Sequence, residues 1–168
     1  MSEPLSHVTE SGAAHMVDVS AKLPTARRAL AEGFVTMKYA TWEALRNHAG
    51  PKGEVFPVAR IAGIQAAKRT GELIPLCHPL PLEQVTVDFD TDPRPDIARL
   101  ACAGGYKAIR ILASASITAK TGVEMEAYTA VAVAALTIID MLKAIDPAMR
   151  IDGIRLLEKT GGKSAYHA

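Results

Sequence analysis

KAIRILASASITAKTGVEMEAYTAVAVAALTIIDMLKAI, residues 107–145, contains the two patterns that decide the fold. Apolar residues alternate in its first part, which predicts a long strand with Ile109, Ile117 and the apolar residues between them on one face. A long apolar helix is then predicted over residues 123–145, and Pro147 ends it. A long strand followed directly by a core helix indicates a sheet covered by helices.

Weaker patterns predict the other elements, with Thr41 as the N-cap of one helix. Strands that do not alternate regularly with helices favour an α+β sandwich, in which helices pack on one face of a mainly antiparallel sheet. The expected elements are a short helix at 25–33, a strand at 33–39, helices at 41–48 and 54–68, strands at 83–90 and 97–102, and a last strand within 151–164.

The length of 168 residues suits one domain. Residues 1–14 are polar and small, so we expect a flexible N-terminal segment, followed by a single domain over residues 15–168. Hydrophobic residues make up 49% and charged residues 22% of the chain, the balance of an ordinary globular protein.

Charge and hydropathy exclude several classes of partner. The formal net charge of +1 provides no global basic field, so we expect no nucleic-acid partner. The first residues lack the apolar run of a signal peptide. Asp140 and Lys143, together with two glutamates, interrupt the apolar helix and argue against a membrane span. We therefore expect a cytoplasmic protein without a membrane partner.

The proline-rich loop IPLCHPLPL, residues 74–82, contains Cys77 and His78. A histidine on a rigid surface loop suits an acid, a base or an anion contact. On residue type alone, the simpler interpretation, a loop packed by its prolines with a solvated histidine, is favoured. Cys77 and Cys102 lack the spacing of a zinc site, so no metal site is expected.

The carboxylates of the long helix have an informative spacing. Asp140 and Lys143 lie on the same face of the helix, where they can form an ion pair. An ion pair on the surface adds little to the free energy of folding. Glu126 and Asp140 are fourteen residues apart, so they lie within about 40° around the axis but ~21 Å apart along it. If both serve one small-molecule site, they must come from different subunits.

Basic residues near glycines or helix ends would suit a polyphosphate, although most such charges are simply solvated. GGKS, residues 161–164, lacks the earlier glycine of a P-loop because position 157 is leucine, so that motif is rejected. From the residues alone, the chain is a compact α+β protein suited to an anion. The basic candidates are Arg27, Lys52, Lys68, Lys120, Lys159 and Lys163.

Eight stretches carry a resemblance that spans nearly the whole chain: HMVDVS (15–20), FVTM (34–37), KGEV (52–55), ARIAGIQAAKRT (59–70), LIPLCHPL (73–80), KTGVEMEA (120–127), ALTIIDMLKA (135–144) and GGKS (161–164). Together they resemble the molybdenum cofactor biosynthesis protein C family, the cyclic pyranopterin monophosphate synthases. LIPLCHPL and KTGVEMEA are the most specific part of the resemblance.

The resemblance implies a ferredoxin-like α+β fold assembled as a homohexamer, a trimer of dimers, with active sites at subunit interfaces. It implies a lyase that converts (8S)-3′,8-cyclo-7,8-dihydroguanosine 5′-triphosphate to cyclic pyranopterin monophosphate and diphosphate. No cofactor is then required, and Mg²⁺ would only accompany the triphosphate of the substrate.

The same resemblance assigns roles to residues of identical type. Asp140, Lys52 and Lys143 match the catalytic positions. One departure is the segment 92–108, which is longer than in typical bacterial members and affects loop and assembly details rather than the chemistry. The implied substrate-binding residues are Leu76, Cys77, His78, Glu124, Met125, Glu126, Lys68 and Arg27.

Two other functions compete with the synthase. One is a non-catalytic subunit that binds a nucleotide or pterin, and the other is a scaffold protein of the same pathway. A binder could lose Asp140 freely, and a scaffold would need no polar pocket. Turnover by the wild-type protein, compared with ligand binding, separates the three hypotheses.

Overall fold

The computed structural model describes residues 12–48, 50–94, 105–162 and 164–168. The described residues form one antiparallel sheet and a set of helices. In chain order the elements are β1 (Thr25–Lys38), α1 (Tyr39–Arg46), α2 (Val55–Lys68), α3 (Thr70–Leu73), β2 (Gln84–Asp90), β3 (Tyr106–Ala119), α4 (Glu124–Leu142), β4 (Arg150–Thr160) and β5 (Tyr166–His167).

The strand order in the sheet is β2-β3-β1-β4-β5, and each neighbouring pair is antiparallel. Strand β1 is followed by helices, then by the β2–β3 pair, α4 and β4. That succession, with β1 and β3 at the centre, is the ferredoxin-like arrangement. The expected α+β fold with a mainly antiparallel sheet is therefore confirmed.

The helices cover one face of the sheet. The predicted alternation in β3 is confirmed, because Ile109, Ile111 and Ile117 are buried together with the two alanines between them. Pairing of β3 with β1 places Ile109 opposite Val35, and both side chains enter the same core. Small and branched aliphatic side chains make up most of this core, which also contains Trp42.

Helix α4 is the central element of the helical layer. By length and composition alone it could cross a membrane, but 56% of its apolar window is buried inside the fold, as in a core helix. Gly63 of α2 lies so close that an added Cβ atom would be 2.9 Å from the Ala130 carbonyl oxygen. The small residues of α2 thus allow it to pack tightly along α4.

Two sequence expectations need correction, and others fall outside the described residues. Residues 25–33 form the first half of β1 rather than a helix, because pairing with strands on both sides overrides the helix propensity of its alanines and arginines. Thr41 lies inside α1 and donates a hydrogen bond to Asp146, so it is not the N-cap. The strand expected at 97–102 and most of the longer segment lie in 95–104, outside the described residues, as do residues 1–11.

The opposite face of β1 contains a fully buried carboxylate, that of Glu32. Arg110 of β3 donates to its Oε2 atom at 2.6 Å, and Arg155 of β4 donates to Oε1 at 2.7 Å. Both carboxylate oxygens are therefore satisfied by guanidinium groups from the two flanking strands. Such charge-assisted bonds stabilise the register of the three central strands.

We predict that Glu32→Gln lowers the free energy of unfolding by about 2–3 kcal/mol, because both guanidinium groups lose their charged partner and one of them also loses its oxygen acceptor. The control is Glu158→Gln, which removes the more exposed pair with Arg28 at 3.5 Å and is expected to cost less than about 1 kcal/mol. Urea denaturation of both variants measures the difference. Equal effects would contradict the special role of Glu32.

Candidate active site

Helix α4 carries the predicted site residues at its two ends. Glu124, Met125 and Glu126 lie in its first turn, whereas Asp140 lies in its last turn and Lys143 follows directly. The helix is uninterrupted, so Glu126 and Asp140 are ~21 Å apart along its axis. The predicted site residues therefore form two separate clusters on one chain.

The first cluster surrounds a pocket of about 250 Å³, called here the Glu126 pocket. It brings together six of the predicted substrate-binding residues from the proline-rich loop and the start of α4. The sequence did not predict that Lys22 lines this pocket. The only sequence signal nearby was the motif HMVDVS, which contains the lining residues Val17 and Val19. The lining residues are Val17, Val19, Lys22, Leu76, Cys77, His78, Leu80, Thr121, Gly122, Glu124, Met125 and Glu126.

The proline-rich loop holds Cys77 and His78 at this pocket. The Cys77 amide donates to the Ile74 carbonyl at 3.0 Å, which closes a tight turn. The loop folds back on Gly71, where an added Cβ would lie 3.0 Å from the Pro79 Cα atom. Fixed proline dihedrals and this close approach leave the loop little freedom.

Glu126, which lines the pocket, is nearly fully buried. Burial raises the pKa of its carboxyl to about 7; the hydrogen bond from its own backbone N–H opposes this shift, and the nearby Glu124 carboxylate adds to it. The pKa of the Cys77 thiol is also raised, by burial first and then by Glu126. A carboxyl that titrates near neutral pH can either donate or accept a proton.

We predict a pH dependence of stability that Glu126 causes. Its pKa is 4.5 ordinarily and about 7 in the folded chain, so below 4.5 both the folded and the unfolded states are protonated. Between these two values only the folded state holds the proton, and the free energy of unfolding falls as pH rises, levelling off above about 7.

Urea denaturation across this pH range measures the decline. In Glu126→Gln the decline attributable to this group disappears, whereas the control Glu124→Gln retains most of it. A Glu126→Gln profile parallel to that of the wild type would show that Glu126 is not the titrating group.

The second cluster, called here the lysine–aspartate cluster, consists of Lys52, Asp140 and Lys143. Lys52 Nζ lies 2.7 Å from Oδ2 of Asp140, and Lys143 Nζ lies 2.7 Å from Oδ1. Hydrogen bonds from Lys143 and Lys52 lower the pKa of Asp140 to about 2. The carboxylate stays ionised at neutral pH, and the cluster has a net charge of +1, suited to an anion.

Lys52 reaches Asp140 from a turn that precedes α2. The Gly53 amide donates to the Gly50 carbonyl at 3.1 Å, and Gly53 has a φ of +89°, a conformation that favours glycine. This glycine turn thus positions Lys52, which is a predicted catalytic residue.

Lys68 and Arg27 lie outside both clusters in the single chain. Lys68 borders a shallow depression beside Pro79 and Pro81, on another side of the proline-rich loop. Arg27 donates through Nε to the Ala119 carbonyl at 3.0 Å and so fixes the end of β3. Their role in binding substrate stays a prediction.

Two other basic candidates have partners within the chain. Lys159 Nζ lies 3.2 Å from Glu124 Oε1, and Lys120 donates to the Ser20 carbonyl at 2.6 Å. Lys163 and Cys102 lie outside the described residues. Within residues 12–48, 50–94, 105–162 and 164–168, no three His, Cys, Asp or Glu side chains form a group that could hold a metal ion, and the absence of a resident metal stays a prediction.

Comparison with known proteins decides the family. A family model described as the MoaC family matches residues 16–162. The chain belongs to the MoaC family. The resemblance inferred from the motifs of the loop and the long helix is thereby confirmed.

Curated relatives match over almost the full length. A cyclic pyranopterin monophosphate synthase from Corynebacterium glutamicum (strain R) is 54% identical over 160 residues, covering 95% of this chain and 94% of the relative. One from Methylobacterium nodulans is 52% identical, covering 97% and 95%. Cyclic pyranopterin monophosphate synthase 3 from Mycobacterium tuberculosis (strain H37Rv) is 52% identical, covering 97% and 85%. All three relatives are named as synthases, which agrees with the expected enzymatic class.

Proposed function

We propose that this chain converts (8S)-3′,8-cyclo-7,8-dihydroguanosine 5′-triphosphate to cyclic pyranopterin monophosphate and diphosphate. The observation that carries the proposal is the placement of Asp140 between two lysine ammonium groups, each at 2.7 Å from a different carboxylate oxygen. The family match and the names of the relatives support the same reaction.

The lysine–aspartate cluster supplies charge and protons to the phosphate end of the reaction. Forming the cyclic phosphate expels diphosphate, and negative charge grows on the leaving oxygens. Lys52 and Lys143 can stabilise that charge from preorganised positions. Because its pKa is about 2, Asp140 is a weak base while both lysines hold it, so its first role is to orient them and its second is to exchange protons once substrate separates them.

The Glu126 pocket supplies the other acid–base group. Ring opening and pyranopterin closure need proton transfers at several heteroatoms, and a carboxyl that titrates near neutral pH serves them in either direction. At about 250 Å³, the pocket lies just below the ~300–1,000 Å³ typical of sites that enclose a drug-sized ligand. It suits the ring system of the substrate rather than the whole nucleotide.

The two clusters form one site only if neighbouring copies contribute one each. Exposed apolar side chains flank the lysine–aspartate cluster along the chain: Leu136, one turn before Asp140, is 57% exposed, and Ile145, two residues after Lys143, is 46% exposed. An apolar surface next to a charged site suits a subunit interface. We therefore include in the proposal a homohexamer, a trimer of dimers, with each active site between two chains.

The remaining parts of the proposal concern cofactors and location. The proposed steps call only on acid–base and cationic groups, so the proposal includes no resident cofactor, and Mg²⁺ would arrive only with the triphosphate. The substrate derives from GTP, which supports a cytoplasmic enzyme that needs neither a nucleic-acid nor a membrane partner.

We predict that Asp140→Asn and Lys52→Ala fold normally and lower kcat by at least ~100-fold, because each removes part of the preorganised charge. The assay follows diphosphate release and pterin formation from the purified cyclic nucleotide substrate. Glu158→Gln, on the other face of the sheet, is the control and should keep wild-type turnover. Near-normal activity of either variant would overturn the assignment, and tight binding without turnover by the wild type would indicate a binding subunit.

A second prediction tests the shared site. Glu126→Gln and Asp140→Asn proteins are each expected to be nearly inactive, but unfolding and refolding them together in equal amounts should restore activity. With random assortment, half the pockets and half the clusters are intact, so roughly a quarter of the sites combine two intact halves. Activity no higher than that of the separate variants would contradict a site formed between copies.

A further inference from the structure

We propose that the backbone carbonyl of Val17 positions His78 in the Nε2–H tautomer and leaves Nδ1 as a hydrogen-bond acceptor for the substrate ring. The inference deepens the proposed function and rests on it for the identity of the ligand. It assigns a role to residues 17–22, called here the strap, which the reaction scheme above does not use.

The geometry of one hydrogen bond fixes the tautomer. His78 Nε2 lies 3.0 Å from the Val17 carbonyl oxygen. A carbonyl oxygen only accepts, so Nε2 must carry the proton, and in a neutral imidazole Nδ1 is then bare. No other described residue forms a hydrogen bond with the His78 ring. In metal-binding and catalytic histidines too, the hydrogen bond of one ring nitrogen determines whether the other nitrogen carries a proton.

Separate contacts hold the strap in place. Lys120 Nζ donates to the Ser20 carbonyl at 2.6 Å, and the Ser20 amide donates to Asp18 Oδ1 at 2.8 Å. The strap has no strand ladder, so its Val17 carbonyl is available to a side chain. Val17 and Lys22 line the Glu126 pocket, which makes the strap one of its walls.

A bare Nδ1 selects the chemistry of the group that it meets. It accepts from N–H or O–H donors and offers no proton to an anionic phosphate oxygen. The other ionisable groups of the pocket are Lys22, Cys77, Glu124 and Glu126. Glu124, although paired with Lys159, and Glu126 in its ionised form both disfavour a phosphate there. His78 therefore contacts an N–H edge of the guanine-derived ring, not the triphosphate.

Long-range proton–nitrogen correlation NMR of the full-length protein, labelled with ¹⁵N-histidine, tests the tautomer directly. The His78 signals are identified by their loss in His78→Gln. We expect a single Nε2–H form in the wild type. A single Nδ1–H form, or an averaged mixture, would overturn the proposal whether or not the protein is a synthase, so the outcome does not depend on the enzymatic assignment.

A variant with a loosened strap tests the positioning role. Asp18→Ala combined with Lys120→Met removes both side-chain anchors, and we expect the His78 signals to shift towards a mixture of tautomers. The KM for the cyclic nucleotide should rise about threefold to tenfold, the value of one hydrogen bond, with a smaller change in kcat. Asp18→Asn, which keeps the oxygen acceptor for Ser20, should behave as wild type. An unchanged single tautomer in the double variant would overturn the role of Val17.

Discussion

The unbroken packing of α4 across β1 and β3 is the constraint on which the rest of the structure depends. Its small buried residues allow α2 to approach closely, and its length sets the distance between the two ends of the helix. Because Glu126 and Asp140 are ~21 Å apart on one rigid element, no side-chain rotation can bring them together. The fold that stabilises the chain thus also leaves each chain with two half-sites.

The two carboxylates show which electrostatic effect dominates at each helix end. The helix dipole would favour an anion at Glu126 and disfavour one at Asp140 by about 0.3–1 kcal/mol. The shifts run the opposite way: the pKa is about 7 for buried Glu126 and about 2 for Asp140. Desolvation outweighs the dipole at the first site, and two lysine hydrogen bonds outweigh it at the second.

The sequence predicted those parts of the structure that local patterns control. The alternation of apolar residues in β3 and the apolar periodicity of α4 indicate a strand and a helix without information from the rest of the chain. The prolines of the loop likewise indicate that its backbone is rigid. The first half of β1 could not be predicted, because Glu32 has its arginine partners only once β3 and β4 are paired beside it. Lys22 could not be assigned to the pocket from the sequence either. Its position depends on the path of the strap, whose residues show no helix or strand periodicity.

The charges of the two half-sites set the direction in which a substrate would bind under the proposed function. A triphosphate is repelled by Glu124, and by Glu126 in its ionised form, and it is attracted to the lysine–aspartate cluster with its net positive charge. The ring system is uncharged and carries N–H donors, which suit a histidine acceptor and a carboxyl of raised pKa. One molecule that has a polyanion at one end and a donor-rich ring at the other therefore complements both clusters at once, and a subunit interface is the arrangement that lets a rigid helix present them to it.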